Sequence, residues 1–165
     1  MADDIGRKII RDTTSARRYV ANVRDAASVI ILSKGAYDIL HVGHVLALQS
    51  AKNLGTYLVV AVASDRSIMS RKGPKRPILP WEHRALMVAA LDMVDLVTEY
   101  DHESPRDVIF ALAPDIFVAS HLDSLPKGSQ EEMANVGIRC HLVAKPSALS
   151  TSAIIDRILQ RYQST

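Results

Sequence analysis

The stretch SVIILSKGAYDILHVGH, residues 28–44, decides the fold. It begins with a short apolar, β-branched run over 28–33, which is typical of a strand buried on both faces of a parallel sheet. Gly35 then allows the backbone to turn and to come close to a ligand. Helical spacing follows over about 43–54. The stretch therefore predicts a strand, a glycine turn and the start of a helix in direct succession.

The rest of the chain repeats this alternation. Apolar runs predict four further strands, at 57–63, 94–98, 115–119 and 138–143, and helical spacing recurs over about 81–91, 104–112, 129–136 and 150–161. Five strands that alternate with five helices predict right-handed β-α-β crossovers. The expected fold is α/β, with a Rossmann-like, doubly wound sheet of five parallel strands. Such a sheet binds ligands at the carboxyl ends of its strands.

Glycines and loop composition give three local expectations. Gly55 and Gly137 each follow a predicted helix and suit its C-terminal cap. The segment 64–80 is the longest predicted loop and is rich in Lys, Arg, Gly and Pro. We expect it to be a mobile binding loop.

Composition limits the class of protein. The 165 residues predict one domain, 28–165, preceded by a helical extension over 1–27. A net charge of +2 is too small for bulk attraction to nucleic acid or membrane. The single cysteine, Cys140, excludes an internal disulfide. Because the start is charged and no apolar run approaches 18 residues, we expect a cytoplasmic protein.

Two histidines, His41 and His44, straddle the predicted helix start. A helix start presents free N–H groups and a partial positive charge, which favour phosphate. Each imidazole can donate a ring N–H to a phosphate oxygen. The pair could instead be half of a zinc site, although a zinc protease needs H-E-x-x-H and no cysteine lies nearby. We therefore predict an anion site at this helix start.

These residues also resemble a known family. The pattern Gly35-x-Tyr-Asp-x-Leu-His-x-Gly-His44 resembles the HxGH signature of the cytidylyltransferase-like nucleotidyltransferases. The similarity continues through AKNLGTYLVVAVASD at 51–65, RKGPKRP at 71–77 with Glu82-x-Arg84, and STS at 150–152. It covers roughly residues 28–160. The sequence similarity is greatest to the heptose 1-phosphate nucleotidyltransferase branch and next greatest to the glycerol-3-phosphate cytidylyltransferases.

The resemblance implies a reaction. Members of the family transfer a nucleotidyl group from an NTP to a phosphorylated acceptor and release pyrophosphate. Mg²⁺ is expected, held largely by phosphate oxygens, and a homodimer is expected by analogy. The resemblance does not decide whether the NTP is ATP, CTP or GTP.

The resemblance also implies roles for individual residues. The catalytic residues are His41, His44 and Lys72. The nucleotide-binding residues are Gly35, Ala36, Tyr37, His41, His44, Arg84, Lys145, Ser150, Thr151 and Ser152. The acceptor-binding residues are Lys34, Asp38, Asp65, Lys72 and His121, and metal ligands are left unassigned.

Several of these residues have plain structural alternatives. Lys72 could belong to a solvated loop, and Arg84 could pair with a carboxylate on its own helix face. The hydroxyls at 150–152 could be an ordinary N-cap. Asp38 could brace its loop, and Asp65 could meet a ribose, an acceptor or only its own loop.

Two departures from the family pattern bear on the acceptor. His121 stands where the family usually has an acidic residue. Lys34 adds a cation beside the phosphate loop, which favours an unusually acidic acceptor such as a phosphonate or a bisphosphate. The leading prediction is transfer to a sugar 1-phosphate of the heptose type. The alternatives are a cytidylyltransferase for glycerol phosphate or a small phosphonate, an FAD synthetase, and a non-catalytic nucleotide-binding module.

Overall fold

The computed structural model describes residues 2–101, 105–119, 125, 128–143 and 150–163. The strands in this part of the chain are β1 Ile30–Gly35, β2 Tyr57–Ala63, β3 Leu96–Tyr100, β4 Ile116–Ala119 and β5 Arg139–Leu142. The helices are α1 Ala2–Arg7, α2 Thr13–Val23, α3 Val42–Lys52, α4 Asp65–Lys72, α5 Trp81–Ala89, α6 Arg106–Leu112, α7 Ser129–Asn135 and α8 Thr151–Tyr162. None of these helices is long and apolar enough to cross a bilayer.

The five strands form one parallel sheet in the order β3-β2-β1-β4-β5. This order confirms the predicted doubly wound α/β fold. The chain moves outward from β1 to β3 and then returns to place β4 on the other side of β1. The strand order therefore reverses between β1 and β4, where open α/β sheets bind their ligands. The loop after β1, with both histidines, lies at this point.

The two faces of the sheet bury separate apolar layers. Ile30 and Leu32 of β1 face one layer, which includes buried side chains of α2, α4, α6 and α7. Ile31 faces the opposite layer, which includes buried side chains of α3 and α5. Side chains alternate along a strand, so the apolar run of β1 fills both layers and holds the strand in the middle of the molecule.

Two sequence expectations about loops need correction. Gly55 is not a left-handed cap, because α3 ends at Lys52 and its C-cap, Asn53, has ordinary helical backbone. A Cβ at Gly55 would clash with Cδ1 of Ile31 and would lie 2.6 Å from the carbonyl oxygen of Val29, so glycine is needed there for close packing on β1. The segment 64–80 is not one long loop, since α4 occupies its first half. The expectation for Gly137 is confirmed, as it follows α7 with φ of 80°.

The N-terminal extension is helical, as expected, but the segment that joins α1 and α2 also adds to the sheet. The Val97 amide donates to the carbonyl of Lys8 at 2.7 Å, and the Ile10 amide donates to the carbonyl of Val97 at 2.9 Å. The Glu99 amide donates to the carbonyl of Arg11 at 3.1 Å. Residues 8–11 thus cover the outer edge of β3, which would otherwise present unpaired backbone groups.

Candidate functional site

His41 is the N-cap of α3. Its backbone is extended, and its Nδ1 accepts a hydrogen bond of 3.1 Å from the amide of Gly43. Because Nδ1 is the acceptor, the neutral ring carries its proton on Nε2. His41 can therefore satisfy the helix start with one nitrogen and donate to an anion with the other.

His44 lies in the first turn of α3 and stacks on His41. The two ring centroids are 3.8 Å apart and the rings are inclined by 22°. The buried Nδ1 of His44 has no hydrogen-bond partner among the described residues. Burial, followed by the charges of His41 and Lys72, lowers the pKa of His44 to about 4. At neutral pH His44 is therefore an uncharged imidazole, able to donate one N–H to a phosphate.

Tyr37 packs beside His44. Its ring centroid lies 5.2 Å from that of His44. A Cβ at Gly35 would come within 2.9 Å of the Tyr37 ring, so glycine at this position makes room for the tyrosine. Tyr37 and Ile39 both have positive φ, 50° and 55°. Such backbone is costly for these side chains and is retained where the surrounding structure holds it in place.

Asp38 holds this backbone in place through its hydrogen bonds. Its carboxylate is buried and accepts from Nε of Arg76 at 2.7 Å and from the amides of Ile78 and Leu79 at 3.0 Å. Burial by itself raises the pKa of Asp38, but these hydrogen bonds and the Arg76 charge outweigh it, so the pKa lies below its ordinary value. The structure thus favours the bracing alternative over direct contact with an acceptor.

The start of α8 meets the same loop. The hydroxyl of Thr151 donates to the carbonyl oxygen of Asp38 at 2.6 Å, and both groups are buried. Ser150 is the N-cap, and its Oγ accepts from the amide of Ala153 at 3.2 Å. Ser152 is exposed. The structure therefore brings the start of α8 to the loop that leads into α3. Both helix starts are sources of free N–H groups.

Arg84 is fully buried. Its guanidinium donates to the carbonyls of Ala36 and Ala63 and to Oδ1 of Asp65, the last at 2.7 Å. Its Nε donates to the carbonyl of Leu79 at 3.0 Å. Arg84 pairs with Asp65 on a different helix, not with a carboxylate on its own helix face. These contacts brace the loops after β1 and β2.

Lys72 ends α4 near the histidines. Its side chain is exposed, and its charge is among the causes that lower the pKa of His44. The pKa of Lys72 is itself lowered, first by loss of hydration and then by the charges of Arg76 and Arg71. The role of Lys72 in binding phosphate stays a prediction.

Two predicted site residues, His121 and Lys145, lie outside the described residues. One residue that sequence reasoning missed is Arg76, the partner of Asp38. Its only signal was membership of the basic run 71–76. Among the residues that the structure describes, no group of three or more His, Cys, Asp or Glu side chains could hold a metal ion.

The depressed pKa of His44 predicts how stability depends on pH. The unfolded chain takes up a proton on this imidazole near pH 6.5, whereas the folded protein resists uptake down to about pH 4. Between these values the unfolded state binds more protons, so the free energy of unfolding falls as the pH is lowered from 7 to 5. Urea unfolding at the two pH values measures this fall.

The matched variants for this experiment are His44→Gln and His83→Gln. We expect a smaller fall with pH in His44→Gln and an unchanged fall in His83→Gln, since His83 is exposed on α5. An equal pH dependence in the wild-type protein and His44→Gln would contradict the assignment.

A parallel sheet whose first strand leads through a glycine turn into a helix start is an arrangement by which α/β domains bind phosphate groups. The profile of the cytidylyltransferase-like family matches residues 32–157. The chain therefore belongs to the cytidylyltransferase-like family of nucleotidyltransferases. The resemblance drawn from the HxGH pattern and the later motifs is confirmed.

The relatives are longer than this chain. They include the Bifunctional protein HldE of Syntrophotalea carbinolica, 37% identical over 156 residues, and that of Pelobacter propionicus, 40% identical over 135 residues. These alignments cover 93% and 81% of this chain but only 32% and 28% of the relatives. The chain thus spans about a third of the length of the curated relatives it matches.

Solved structures agree on the fold. The lipopolysaccharide core biosynthesis protein from Thermoplasma volcanium is 27% identical with a TM-score of 0.59, over 74% of this chain and 99% of that one. A protein of unknown function from Archaeoglobus fulgidus, 19% identical with a TM-score of 0.53 over 72% of this chain and 99% of that one, supports the fold alone.

Proposed function

We propose that this chain transfers a nucleoside monophosphate from an NTP to a sugar phosphate of the heptose 1-phosphate type, with release of pyrophosphate. The observation that carries this proposal is the hydrogen bond from Thr151 to the carbonyl of Asp38, 2.6 Å long. It joins the start of α8 to the loop that carries the histidines, and we infer from this contact that the two helix starts face the same anion.

In this reaction an oxygen of the acceptor phosphate attacks the α-phosphorus of the NTP in line. The new P–O bond forms as the bond from the α-phosphorus to the bridging oxygen breaks, and that oxygen leaves with its electron pair as part of pyrophosphate. The Nε2–H of His41 and a ring N–H of His44 donate to phosphate oxygens whose charge grows in the transition state. Lys72 holds the anions close together, and no covalent enzyme intermediate is formed.

Mg²⁺ and the homodimer are parts of the same proposal. Because Mg²⁺ is commonly bound through substrate phosphates rather than a protein cage, we propose that it enters as the NTP complex and neutralises phosphate charge there. His41 is a poor ligand on its Nδ1 side, since that nitrogen already accepts from Gly43. The homodimer rests on analogy with the family.

The choice of a sugar phosphate has two supports. The loop Lys72-Gly-Pro-x-Arg-Pro77 resembles that of the heptose 1-phosphate branch, and Arg76 of this loop forms the buried pair with Asp38. The curated relatives that align over most of this chain are bifunctional HldE proteins. The domain division at residues 27 and 28 stays a prediction.

Pyrophosphate release tests the proposal. ATP, CTP and GTP are each offered with a heptose 1-phosphate, glycerol 3-phosphate or FMN, and the product is identified by mass. We expect release with the heptose 1-phosphate and one preferred NTP, and its loss when EDTA removes Mg²⁺. Release with only glycerol 3-phosphate or FMN would reassign the acceptor. NTP binding without any turnover would make the chain a binding module and contradict the proposal.

A further inference from the structure

The start of α8 is attached to the rest of the protein by few contacts. All residues of α8 lie in the described part of the chain, and Thr151 is the only one of them that is buried. Ile154 and Ile155 are half-buried, and the helix is exposed from residue 156 onward. Apolar burial therefore contributes little to the docking of this helix. The buried hydrogen bond from Thr151 to the carbonyl of Asp38, 2.6 Å long, carries much of the attachment.

The hydroxyl of Thr151 has already given away its hydrogen. A threonine hydroxyl has one hydrogen to donate, and Thr151 donates it to the carbonyl of Asp38. An ionised phosphate oxygen can only accept a hydrogen bond, so this side chain has no donor left for it. The start of α8 still offers backbone N–H groups to an anion. The Thr151 side chain is thus suited to placing those amides and not to binding the anion itself.

The carbonyl that accepts this bond is fixed by the side chain of the same residue. The Asp38 carboxylate accepts from Nε of Arg76 at 2.7 Å and from the amides of Ile78 and Leu79 at 3.0 Å. Asp38 is 1% exposed and Arg76 is 9% exposed. The residues on both sides of Asp38 have left-handed backbone, which is costly without such support. Because the carboxylate and the carbonyl belong to one residue, the ion pair with Arg76 sets the direction in which the carbonyl points.

We propose that Thr151 and Arg76 are positioning residues for the triphosphate of the NTP. Thr151 ties the start of α8 to Asp38, and Arg76 holds Asp38 so that its carbonyl can receive this bond. The inference deepens the proposed transfer reaction and rests on it. Neither side chain contacts the reacting atoms. Arg76 acts on the nucleotide through two successive buried contacts, from its guanidinium to the Asp38 carboxylate and from the Asp38 carbonyl to Thr151.

Two substitutions of Thr151 test the first contact. Thr151→Val replaces the hydroxyl by a methyl group of similar size, and we expect it to raise the KM of the NTP about tenfold, the effect of losing one buried hydrogen bond. The kcat should stay within about threefold of the wild-type value, because binding is lost equally in the ground state and the transition state. Thr151→Ser keeps the hydroxyl and should restore the KM to within about twofold. Pyrophosphate release at varied NTP, well below the melting temperature of each variant, measures both constants.

Substitution of Arg76 tests the second contact. Arg76→Met removes the guanidinium and should raise the KM of the NTP by at least about threefold. Combined with Thr151→Val it should add little, because the two side chains act through one carbonyl. Arg76→Lys, which keeps the charge but lacks the Nε donor, takes its place if Arg76→Met does not fold. Lys75→Met is the matched control, since Lys75 is exposed next to Arg76 in the chain, and it should leave the KM unchanged.

The outcomes separate this inference from the proposed function. A lower melting temperature in Thr151→Val with an unchanged KM of the NTP would overturn the positioning role and leave the transfer reaction standing, since the bond would then serve the fold alone. Fully additive effects of Thr151→Val and Arg76→Met on the KM would overturn the path through Asp38. Calorimetric titration with the magnesium complexes of ATP, CTP and GTP gives affinities without turnover. NTP binding that weakens in Thr151→Val, in a protein without turnover, would support the positioning role and contradict the transfer reaction.

Discussion

Replacing His44 with alanine is expected to lower kcat by at least about 100-fold, because a donor that strengthens with transition-state charge is lost. The ring is stacked on His41 and lies beside Tyr37, so it is held in position before the nucleotide arrives. The effect should fall on kcat more than on the KM of the NTP, since the interaction grows as the reaction proceeds. Pyrophosphate release at saturating substrates measures it.

A control separates chemistry from folding in this experiment. His83→Ala removes an exposed imidazole from α5 and should leave kcat within about twofold. Thermal unfolding of both variants shows whether the fold is kept. A folded His44→Ala protein that retains more than a tenth of the wild-type kcat would refute the role assigned to this residue.

Replacing Asp38 with alanine is expected to destabilise the protein by about 3–5 kcal/mol, the usual cost of removing one partner of a buried ion pair. Arg76 would keep a buried charge without its carboxylate, and its Nη2 already lacks a hydrogen-bond partner among the described residues. The amides of Ile78 and Leu79 would lose their acceptor as well. Urea unfolding at pH 7 measures the loss.

The Asp38 effect has its own pH signature. The folded protein holds the pKa of this carboxyl below that of the unfolded chain. Its contribution to stability is therefore complete above the unfolded pKa, near 4, and is lost as the pH falls through the lower folded value. Asp38→Ala should accordingly unfold with a weaker dependence on pH in that acid range than the wild-type protein.

Two further variants test the Asp38 explanation. Asp38→Ala combined with Arg76→Met should recover part of the lost stability, because the uncompensated charge is removed. Asp92→Ala, which removes an exposed carboxylate, should change stability by less than about 0.5 kcal/mol. A loss below about 1 kcal/mol in Asp38→Ala would show that the loop does not depend on this pair.

The strands and the helix start at His41 could be predicted because their signals are local. The apolar run before Gly35 specifies a buried strand whatever its neighbours are, and the glycine–histidine spacing specifies a turn into a helix. That this turn and residues 150–152 serve one site was implied by the family resemblance, which assigns both to nucleotide binding. The family motifs then predicted the type of reaction, transfer of a nucleotidyl group.

What the sequence could not show was the partner of each long side chain. Arg84 looked like a ligand-facing cation, yet tertiary packing directs its donors to three carbonyls and Asp65. Arg76 lay in a basic run that is equally consistent with a solvated loop. The pairing of residues 8–11 with β3 could likewise not be predicted from the sequence, since the edge of β3 exists only once the sheet has assembled.

The hydrogen bond from Thr151 to Asp38 has a consequence for folding. It joins positions separated by more than a hundred residues along the chain. The acceptor is the loop after β1, which is positioned only when β1 has paired with its neighbours in the sheet, so we expect this bond to form after the sheet. The sheet could therefore gain most of its native circular dichroism before the site can retain a nucleotide. In a refolding experiment, the return of NTP affinity would mark the docking of the last helix, and it would lag behind the return of secondary structure.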